Sequence, residues 1–446
     1  MAARAPSAKS EARRVRLASY LPYVRSVEQM AASVLAGDRP SADVLAALDG
    51  GPNRTLATTV DLESRRQAGA FFTGSEMRDG PFRELLPSKR AVRAAIDPAC
   101  GAGDLLLAWT DTLPSGPDLS STLALWQSAL RGWDVHEEFV RLTRARLVLA
   151  AAQRSTRLGH CTTSIEEAFP NVCVGDGVAG LKSDDLPPWV VMNPPFGRER
   201  VASGCSWATG SVSHAATFAH AAIEALKPGQ HLVAILPDVL RTGPTMRRWR
   251  EEMNSLAKIE AVRSTGQFAS DIDIDVFLLR ATRTHRAATF TGWWEAAPPL
   301  GKVRDLLATF TVSVGPIVPH RHVEEGTSMP FLHAQNLPRN GESPEPPERV
   351  RYTGSGVMPP FVAVRRTSRP GDIPRARPTV VRGNSPMAVE NHLIVLVPDD
   401  GLITTCRALA TELTSNEVSQ WLDQRLRGRH LTTTAFRELG ARSARG

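Results

Sequence analysis

The chain has 446 residues, of which 42 % are hydrophobic and 22 % are charged. These fractions are ordinary for globular proteins and exclude wholesale disorder, and at roughly 150 residues per domain the length predicts about three domains. No run approaches the roughly 18 consecutive apolar residues that a membrane span needs, and the N-terminus lacks the apolar core of a secretory signal. The five cysteines form no CxxC pair, which argues against a disulfide scaffold or zinc ribbon and favours the cytoplasm.

Arginine dominates the basic residues. Lysine and arginine number 53 against 46 acidic residues, which gives a net charge of +7, and only six of the 53 are lysines. Arginine suits forked contacts with phosphate and guanine, so nucleic acid is one interpretation of this composition, and GC-rich coding is another. No lysine has an acidic residue two positions before it. Metal-dependent nucleases of the common restriction fold need that pair, so no such cleavage module is predicted.

Composition and hydropathy divide the chain into three predicted domains. Residues 1–65 predict a helical segment, because apolar residues recur at helical spacing up to the punctuation at Gly50-Gly51-Pro52. Residues 66–295 alternate short apolar runs with helical stretches, which predicts a parallel sheet with helices on both faces. Such sheets bind ligands beyond the carboxyl ends of their strands. Residues 296–446 are rich in proline and arginine and predict a separate α/β domain.

The individual elements follow from the same patterns. Amphipathic helices are predicted at 137–152 and 214–226, and a helical tail at 403–427. The predicted strands are 91–97, 131–135, 171–174, 188–193, 231–237, 274–282, 360–366, 378–382 and 392–398.

A glycine turn follows the first of these strands. The segment Asp97-Pro98-Ala99-Cys100-Gly101-Ala102-Gly103-Asp104 separates the strand from a predicted helix that starts at Leu105. Gly101 and Gly103 allow a tight turn and the close approach of a ligand, and the helix start offers free N–H groups to a carboxylate or phosphate. Taken alone, an ordinary strand-to-helix turn remains an equal interpretation.

Two further acidic residues stand at predicted strand ends. Asp134, at the tip of the next strand, can hold ribose hydroxyls, although it lies 37 positions beyond Asp97 rather than the usual gap of about 20. Asp176, before Gly177, can accept a hydrogen bond from an exocyclic amine. In isolation, a strand-end acid and a β-turn Asp-Gly are the simpler interpretations.

The most informative segment is Asn193-Pro194-Pro195-Phe196, at the end of a buried strand. Consecutive prolines fix the backbone and remove two N–H donors. The groups that remain are acceptors, namely the Asn193 side-chain oxygen and the Pro194 carbonyl, and both can receive hydrogen bonds from one amino group. Phe196 supplies a flat face on which an extruded base can stack. This segment therefore predicts a site that binds and activates the amino group of an aromatic base.

These segments resemble the N6-adenine DNA methyltransferases of the gamma motif order, over about residues 65–285. In that family the cofactor segment precedes the catalytic segment, and a target-recognition domain follows both. Gly69 to Thr73 resembles the family's G-x-[FY]-[FY]-T, and Asn193 to Phe196 its catalytic N-P-P-[FY]. Phe268 resembles the second aromatic residue, which contacts the flipped base. Asp134 departs from the pattern, because the family usually has Glu there.

The resemblance implies a Rossmann-like α/β methyltransferase sheet, with an N-terminal helical segment and a C-terminal α/β target-recognition domain. It implies S-adenosylmethionine as cofactor, and no metal. The catalytic residues it implies are Asn193, Pro194, Pro195 and Phe196, with Phe196 and Phe268 stacking on the target base. The cofactor-binding residues it implies are Gly69, Ala70, Phe71, Phe72, Thr73, Asp97, Pro98, Ala99, Gly101, Gly103, Asp134, Val135, Asp176, Gly177 and Asn193.

The C-terminal part resembles the recognition domains of type I and type IIG restriction systems. The resemblance rests on FLHAQNL (331–337), on residues 380–398 and on the tail at 409–440. Several basic residues here could line a DNA cleft, although a solvated surface charge is the simpler interpretation of each one taken singly. They are Arg365, Arg366, Arg375, Arg377 and Arg382.

The expected function is methyl transfer from S-adenosylmethionine to N6 of adenine in double-stranded DNA, in a restriction-modification or phage-defence system. A separate restriction or specificity subunit is a further candidate partner, and no membrane partner is expected. RNA-base and protein-glutamine methyltransferases use the same N-P-P-[FY] loop and remain alternatives, although they are usually shorter. A catalytically silent DNA-binding subunit is the alternative from a different class.

Overall fold

The structure is a computed structural model in which two compact units are formed. One comprises Met1–Arg241 and Thr245–Thr291, and the other Thr242–Pro244 and Gly292–Gly446. No helix in the described part of the chain is long and apolar enough to cross a bilayer. The described residues are 17–88, 93–182, 185–201, 204–269, 272–286, 290, 292–293, 300–319, 322–338, 341–426 and 428–440.

The first unit begins with helices, as the N-terminal pattern predicts. They are α1 (Leu21–Leu35), α2 (Asp43–Leu48), α3 (Gly51–Thr59) and α4 (Leu62–Ala68). Helix α1 buries Val24, Val27, Ala31 and Val34, which helical spacing places on one face. The punctuation at Gly51-Pro52 was expected to end a helix, but it begins α3. Proline fits the first turn of a helix because the N–H it lacks has no helical partner there.

The α/β part of this unit is built on one seven-stranded sheet and a hairpin. In chain order its strands are β1 (Ala95–Asp97), β2 (Leu130–Asp134), β3 (Val172–Val174), β4 (Trp189–Met192), β5 (Arg198–Arg200), β6 (Ser211–Ser213), β7 (His231–Pro237), β8 (Ala257–Ala269) and β9 (Ile272–Arg283). The sheet order is β3-β2-β1-β4-β7-β9-β8, and β5 pairs with β6 alone.

Strand direction in this sheet differs in part from the expected parallel arrangement. Strands β3, β2, β1, β4 and β7 are parallel, but β9 is antiparallel to both of its neighbours. Strand β8 was not predicted. Because the strand order reverses between β1 and β4, a crevice opens beyond the carboxyl ends of these two strands. This topology therefore brings the glycine turn after β1 next to the loop after β4.

Helices connect and cover the strands. They are α5 (Asp104–Thr110), α6 (Leu119–Ala129), α7 (Glu137–Arg154), α8 (Ile165–Ala168), α9 (Gly177–Gly180), α10 (His214–Ala225), α11 (Val239–Thr242) and α12 (Arg247–Leu256). Helix α7 carries Arg146, which is wholly buried and lies 2.9 Å from Asp104 Oδ1. The same guanidinium donates to the carbonyls of Ala47 and Leu48. This cation therefore ties the N-terminal helices to the start of α5.

The second unit packs helices on one face of a five-stranded sheet of order β10-β17-β14-β15-β12, beside a three-stranded sheet of order β13-β11-β16. Its elements are α13 (Gly301–Leu307), β10 (Phe310–Val314), β11 (Thr327–Leu332), β12 (Gly341–Ser343), β13 (Arg349–Tyr352), β14 (Phe361–Arg365), β15 (Pro378–Val381), β16 (Ala388–Val389), β17 (Leu393–Pro398), α14 (Ile403–Leu413), α15 (Asn416–Arg425) and α16 (Thr433–Gly440). On β14, Val362 and Val364 join the core beneath the helices, whereas Phe361 and Ala363 join a core on the other face. Both faces of the sheet are therefore buried.

The helical tail expected at 403–427 is two helices, because Ser415 caps the start of α15 by accepting from Val418 N.

The arginines expected in a DNA cleft are held within this unit. Arg375 is wholly buried and lies 2.8 Å from Asp423, so its expected position in a cleft is wrong. Arg365 donates to loop carbonyls, Arg366 to a main-chain carbonyl, Arg382 pairs with Glu342, and Arg377 lies 4.0 Å from Asp372.

Candidate active site

Asn193 is the first residue after β4, and its side-chain amide is held in one orientation. Nδ2 lies 3.3 Å from the carbonyl of Phe71 and 3.1 Å from the hydroxyl of Thr73, and it donates to both. These two acceptors identify the nitrogen, so the other atom is the oxygen. Oδ1 is buried and has no hydrogen-bond donor among the described residues. A buried acceptor without a donor costs about 1–3 kcal/mol, so this oxygen is poised for an N–H supplied by a ligand.

The segment Gly69–Thr73 lies directly against the loop after β4 that holds Asn193–Phe196. Gly69 ends α4 with φ = +65°, which favours glycine, and a Cβ there would lie 2.6 Å from the Cβ of Pro195. Phe72 is buried and packs edge-on to Phe139 of α7, with ring centroids 4.9 Å apart. This packing fixes the position of the Phe71 and Thr73 acceptors that orient Asn193.

Two aromatic rings meet beside this loop. The rings of Phe196 and Phe268 have centroids 5.4 Å apart and an interplanar angle of 82°. Phe268 lies on β8, the strand at one edge of the sheet. The contact between the two rings joins residues that are 72 positions apart in the sequence. Both rings are half-buried. One ring of this aromatic pair therefore belongs to the residue three positions beyond Asn193 in the chain.

The glycine turn after β1 is closed by carboxylates. Asp97 Oδ1 accepts from Ala99 N at 3.0 Å, and Asp134 Oδ2 accepts from Gly101 N at 3.0 Å. Asp134 Oδ1 also accepts from His136 N at 2.9 Å. Burial raises the pKa of the Asp97 carboxyl to about 8, and the charges of Asp134 and Asp104 add to this rise.

Asp176 caps the short helix α9. Its Oδ1 accepts from Val178 N at 3.0 Å and Ala179 N at 3.2 Å. Gly177 lies so close to the glycine turn that a Cβ there would be 1.7 Å from the carbonyl oxygen of Pro98. The loops after β1 and β3 are therefore in contact, which brings Asp176 to the same edge as Asp97 and Asp134.

One cavity of about 480 Å³ joins these groups, within the usual size range of small-molecule sites. The predicted residues that line it are Gly69, Ala70, Phe71, Phe72, Thr73, Asp97, Pro98, Ala99, Gly101, Asp134, Val135, Asp176, Gly177, Asn193 and Pro195. The other predicted residues are Gly103, Pro194, Phe196 and Phe268, which lie outside its lining. Gly103 faces Thr143, with which a Cβ would collide at 2.8 Å.

Other side chains that line the cavity were not predicted from the sequence. His214, Thr217 and Phe218 line it from α10, and Arg66, Arg198 and Glu199 line it from neighbouring segments. The spacing of His214, Thr217 and Phe218 places them on one face of the helix. That spacing was the available signal, but the same pattern is typical of a core-facing helix. Among the described residues, no group of three His, Cys, Asp or Glu side chains could hold a metal ion.

No protein-family model and no curated protein matches this sequence. Among solved structures, a Vibrio vulnificus YJ016 protein described as a modification subunit of a type I restriction enzyme matches with 20 % identity and a TM-score of 0.37. That match covers 53 % of this chain and 50 % of the other, half its length. The type IIG restriction endonuclease BpuSI matches with 12 % identity and a TM-score of 0.47, over 96 % of this chain and 71 % of the other.

A Listeria monocytogenes protein described as a class I S-adenosylmethionine-dependent methyltransferase matches with 17 % identity and a TM-score of 0.31, over 63 % of this chain and 90 % of that one. These likenesses concern the fold. The predicted α/β fold class with a Rossmann-like sheet is confirmed, with the strand order and the antiparallel β9 described above.

Proposed function

We propose that this chain is a site-specific DNA methyltransferase that transfers a methyl group from S-adenosylmethionine to N6 of adenine in double-stranded DNA. We further propose that it serves a restriction-modification or phage-defence system in the cytoplasm. The observation that carries the proposal is the Asn193 side chain. Its nitrogen is held by Phe71 and Thr73, and its buried oxygen has no donor among the described residues. An amino group of a base would supply that donor.

The cavity fits S-adenosylmethionine. Its lining holds five carboxylates, and its shape depends on Gly177, which no larger residue could replace without moving the Pro98 carbonyl. In this proposal the turn from Asp97 to Gly103 holds the methionine half, Asp134 the ribose and Asp176 the adenine N6. Gly69–Thr73 covers the cofactor. When bound, S-adenosylmethionine supplies an activated methyl group.

The chain's own contribution to the reaction is orientation and charge complementarity. Asn193 Oδ1 and the Pro194 carbonyl accept the two N–H groups of the extruded adenine. This pair of hydrogen bonds draws the nitrogen out of conjugation with the ring and localises its lone pair. Phe196, packed edge-on against Phe268, gives the base a face to stack on. Pro195 has no N–H that could compete for these acceptors.

In this proposal the second unit recognises the DNA target, and a separate restriction or specificity subunit is a candidate partner.

The functional test is to express the whole chain alone in a host that lacks DNA methylation and to sequence its modified bases. N6-methyladenine in one sequence context is the expected result. In parallel, labelled cofactor is offered to plasmid DNA, to tRNA and rRNA, and to a release factor. Label in RNA or protein but not in DNA would overturn the proposal. Specific DNA binding without transfer would favour a silent subunit.

The affinity for S-adenosylmethionine is expected to depend on pH through Asp97. Burial raises the pKa of this carboxyl to about 8, so it is mostly protonated at pH 6. A cationic ligand favours the carboxylate, and binding therefore releases a proton when the pH is below 8. We expect the affinity to rise, by at most about tenfold per unit, as the pH increases from 6 to 8.

Calorimetry in buffers of different ionisation enthalpy measures both the affinity and the proton release. Asp97→Asn, which cannot ionise, should bind more weakly at pH 8 and lose the rising limb of the profile. The matched control is Asp118→Asn, a half-buried helix cap outside the cavity, which should keep the wild-type profile. A flat profile in the wild-type protein would contradict the role of Asp97.

A further inference from the structure

The β5–β6 hairpin directly follows the catalytic loop and is held in place at both ends. At its base the Gly197 carbonyl accepts from His214 N at 2.8 Å. In the loop that joins the two strands, Trp207 is buried, and its ring centroid lies 5.5 Å from that of His220 on α10. The hairpin is therefore fixed against α10, at the side of the candidate active site.

The two faces of β5 carry different charges. Successive side chains of a strand point to opposite faces, so Arg198 and Arg200 share one face and Glu199 takes the other. Arg198 and Arg200 are exposed. Glu199 Oε2 lies 3.5 Å from Nε2 of the buried His214 side chain. The carboxylate of β5 is thus turned inward, which leaves the outer face of this strand basic.

The arginines at the cavity are available to a ligand. Arg198 lines the cavity and donates to the Ser211 carbonyl, and Arg66 lines the same cavity from α4. Within the described residues, Arg66, Arg198 and Arg200 have no carboxylate within 4.0 Å. In contrast, Arg141 pairs with a glutamate of another element. The guanidinium groups at the cavity therefore keep donors that suit a forked anion such as a phosphodiester.

We propose that Arg198 and Arg200, together with Arg66, bind the phosphates that flank the extruded adenine. This inference rests on the proposed function. In this arrangement the DNA backbone lies outside the cavity, and the extruded adenine occupies the cavity beside Asn193. The contact between Glu199 and His214 positions the strand, because it turns the one acidic side chain of β5 away from the polyanion.

The salt dependence of DNA binding tests this proposal. Each phosphate contact on B-DNA contributes about 0.9 to the slope of log K against log salt concentration. The double variant Arg198→Gln/Arg200→Gln of the full chain should therefore lower the slope by about 1.8 on a duplex that carries the methylated sequence. Its KM for DNA should rise at least about tenfold at physiological salt, and this rise should exceed any change in kcat.

The matched control removes two exposed cations from the opposite end of the sheet. Lys227 precedes β7 and Arg286 follows β9, so both lie at the amino ends of the parallel strands, away from the cavity. The variant Lys227→Gln/Arg286→Gln should keep the wild-type slope. Arg198→Lys/Arg200→Lys keeps both charges and should also restore most of the slope, since counterion release depends on charge.

The outcomes separate this inference from the proposed function. A wild-type slope in the glutamine double variant, with DNA still methylated, overturns the phosphate contacts and leaves the methyltransferase proposal intact. A lysine double variant as weak as the glutamine one also overturns them, because the loss would then be structural. A wild-type chain that neither binds nor methylates DNA overturns both proposals.

Discussion

Asn193→Ala is expected to slow methyl transfer to DNA by about 10³-fold, with little change in the affinity for S-adenosylmethionine. Losing one preorganised hydrogen-bonding group costs about 10²–10³-fold in well-studied active sites. The loss here should lie at the upper end, because in the proposed mechanism the Asn193 oxygen also aligns the nucleophile. Single-turnover transfer of labelled methyl groups measures the rate, and calorimetry measures cofactor affinity.

The matched control for this variant is Asn171→Ala. Asn171 lies just before β3, at the amino end of that strand, and its amide donates to the Gln127 carbonyl at 3.3 Å on the exposed surface. Both variants remove one amide, but the Asn171 variant does so outside the cavity and should turn over like the wild type. Wild-type turnover by Asn193→Ala would show that the catalytic assignment is wrong.

The candidate site could be predicted where its residues stand at the ends of short apolar strands. Asp97, Asp134, Asp176 and Asn193 each lie at or just beyond such a strand, and parallel strands bring these ends to one edge. The sequence could not show that β1 and β4 are neighbours, because strand order depends on contacts between distant segments. Asn193 is also oriented by Phe71 and Thr73, which lie about 120 positions earlier in the chain.

Strand β8 could not be predicted because it is an edge strand. Its pairing with β9 is interrupted by register shifts near Ile259 and Ser264, so the alternation of apolar and polar residues is broken. This strand places the ring of Phe268 against that of Phe196.

The α10 side chains that line the cavity, and Arg375 in the second unit, show that the surroundings of a side chain are harder to predict than its secondary structure. A helix face that lines a cavity and one that packs on a core have the same spacing, so the position of Phe218 at the cavity has no distinct signature. Likewise, Arg375 is indistinguishable in sequence from a surface arginine, although it is wholly buried beside Asp423. In both cases the environment of the side chain depends on residues far away in the chain.

Asp104→Ala is expected to have the largest effect on stability. The Arg146 guanidinium is wholly buried, and the Asp104 side chain is 8 % exposed. Removing one partner of a buried ion pair typically costs about 3–5 kcal/mol, because the remaining charge is left without a counter-charge. The unfolding temperature should fall by several degrees, since roughly 2–4 °C accompany each kcal/mol in units of 150–250 residues. Differential scanning calorimetry of the whole chain measures the shift.

Glu28→Ala is the matched control, because Glu28 pairs with Arg141 on the same helix α7 but at a position partly open to solvent. Their side chains are 24 % and 33 % exposed, and such pairs contribute about 0–1 kcal/mol. Equal shifts for the two variants would contradict the role of the buried pair.

Replacing both buried partners, as in Asp104→Leu/Arg146→Met, tests what else the guanidinium does. A buried ion pair can often be exchanged for apolar residues without loss. Here Arg146 also donates to the carbonyls of Ala47, Leu48 and Ala102, which an apolar residue would leave unsatisfied. The double variant should therefore stay well below wild-type stability. Its affinity for S-adenosylmethionine should fall as well, because Ala102 belongs to the glycine turn that lines the cavity.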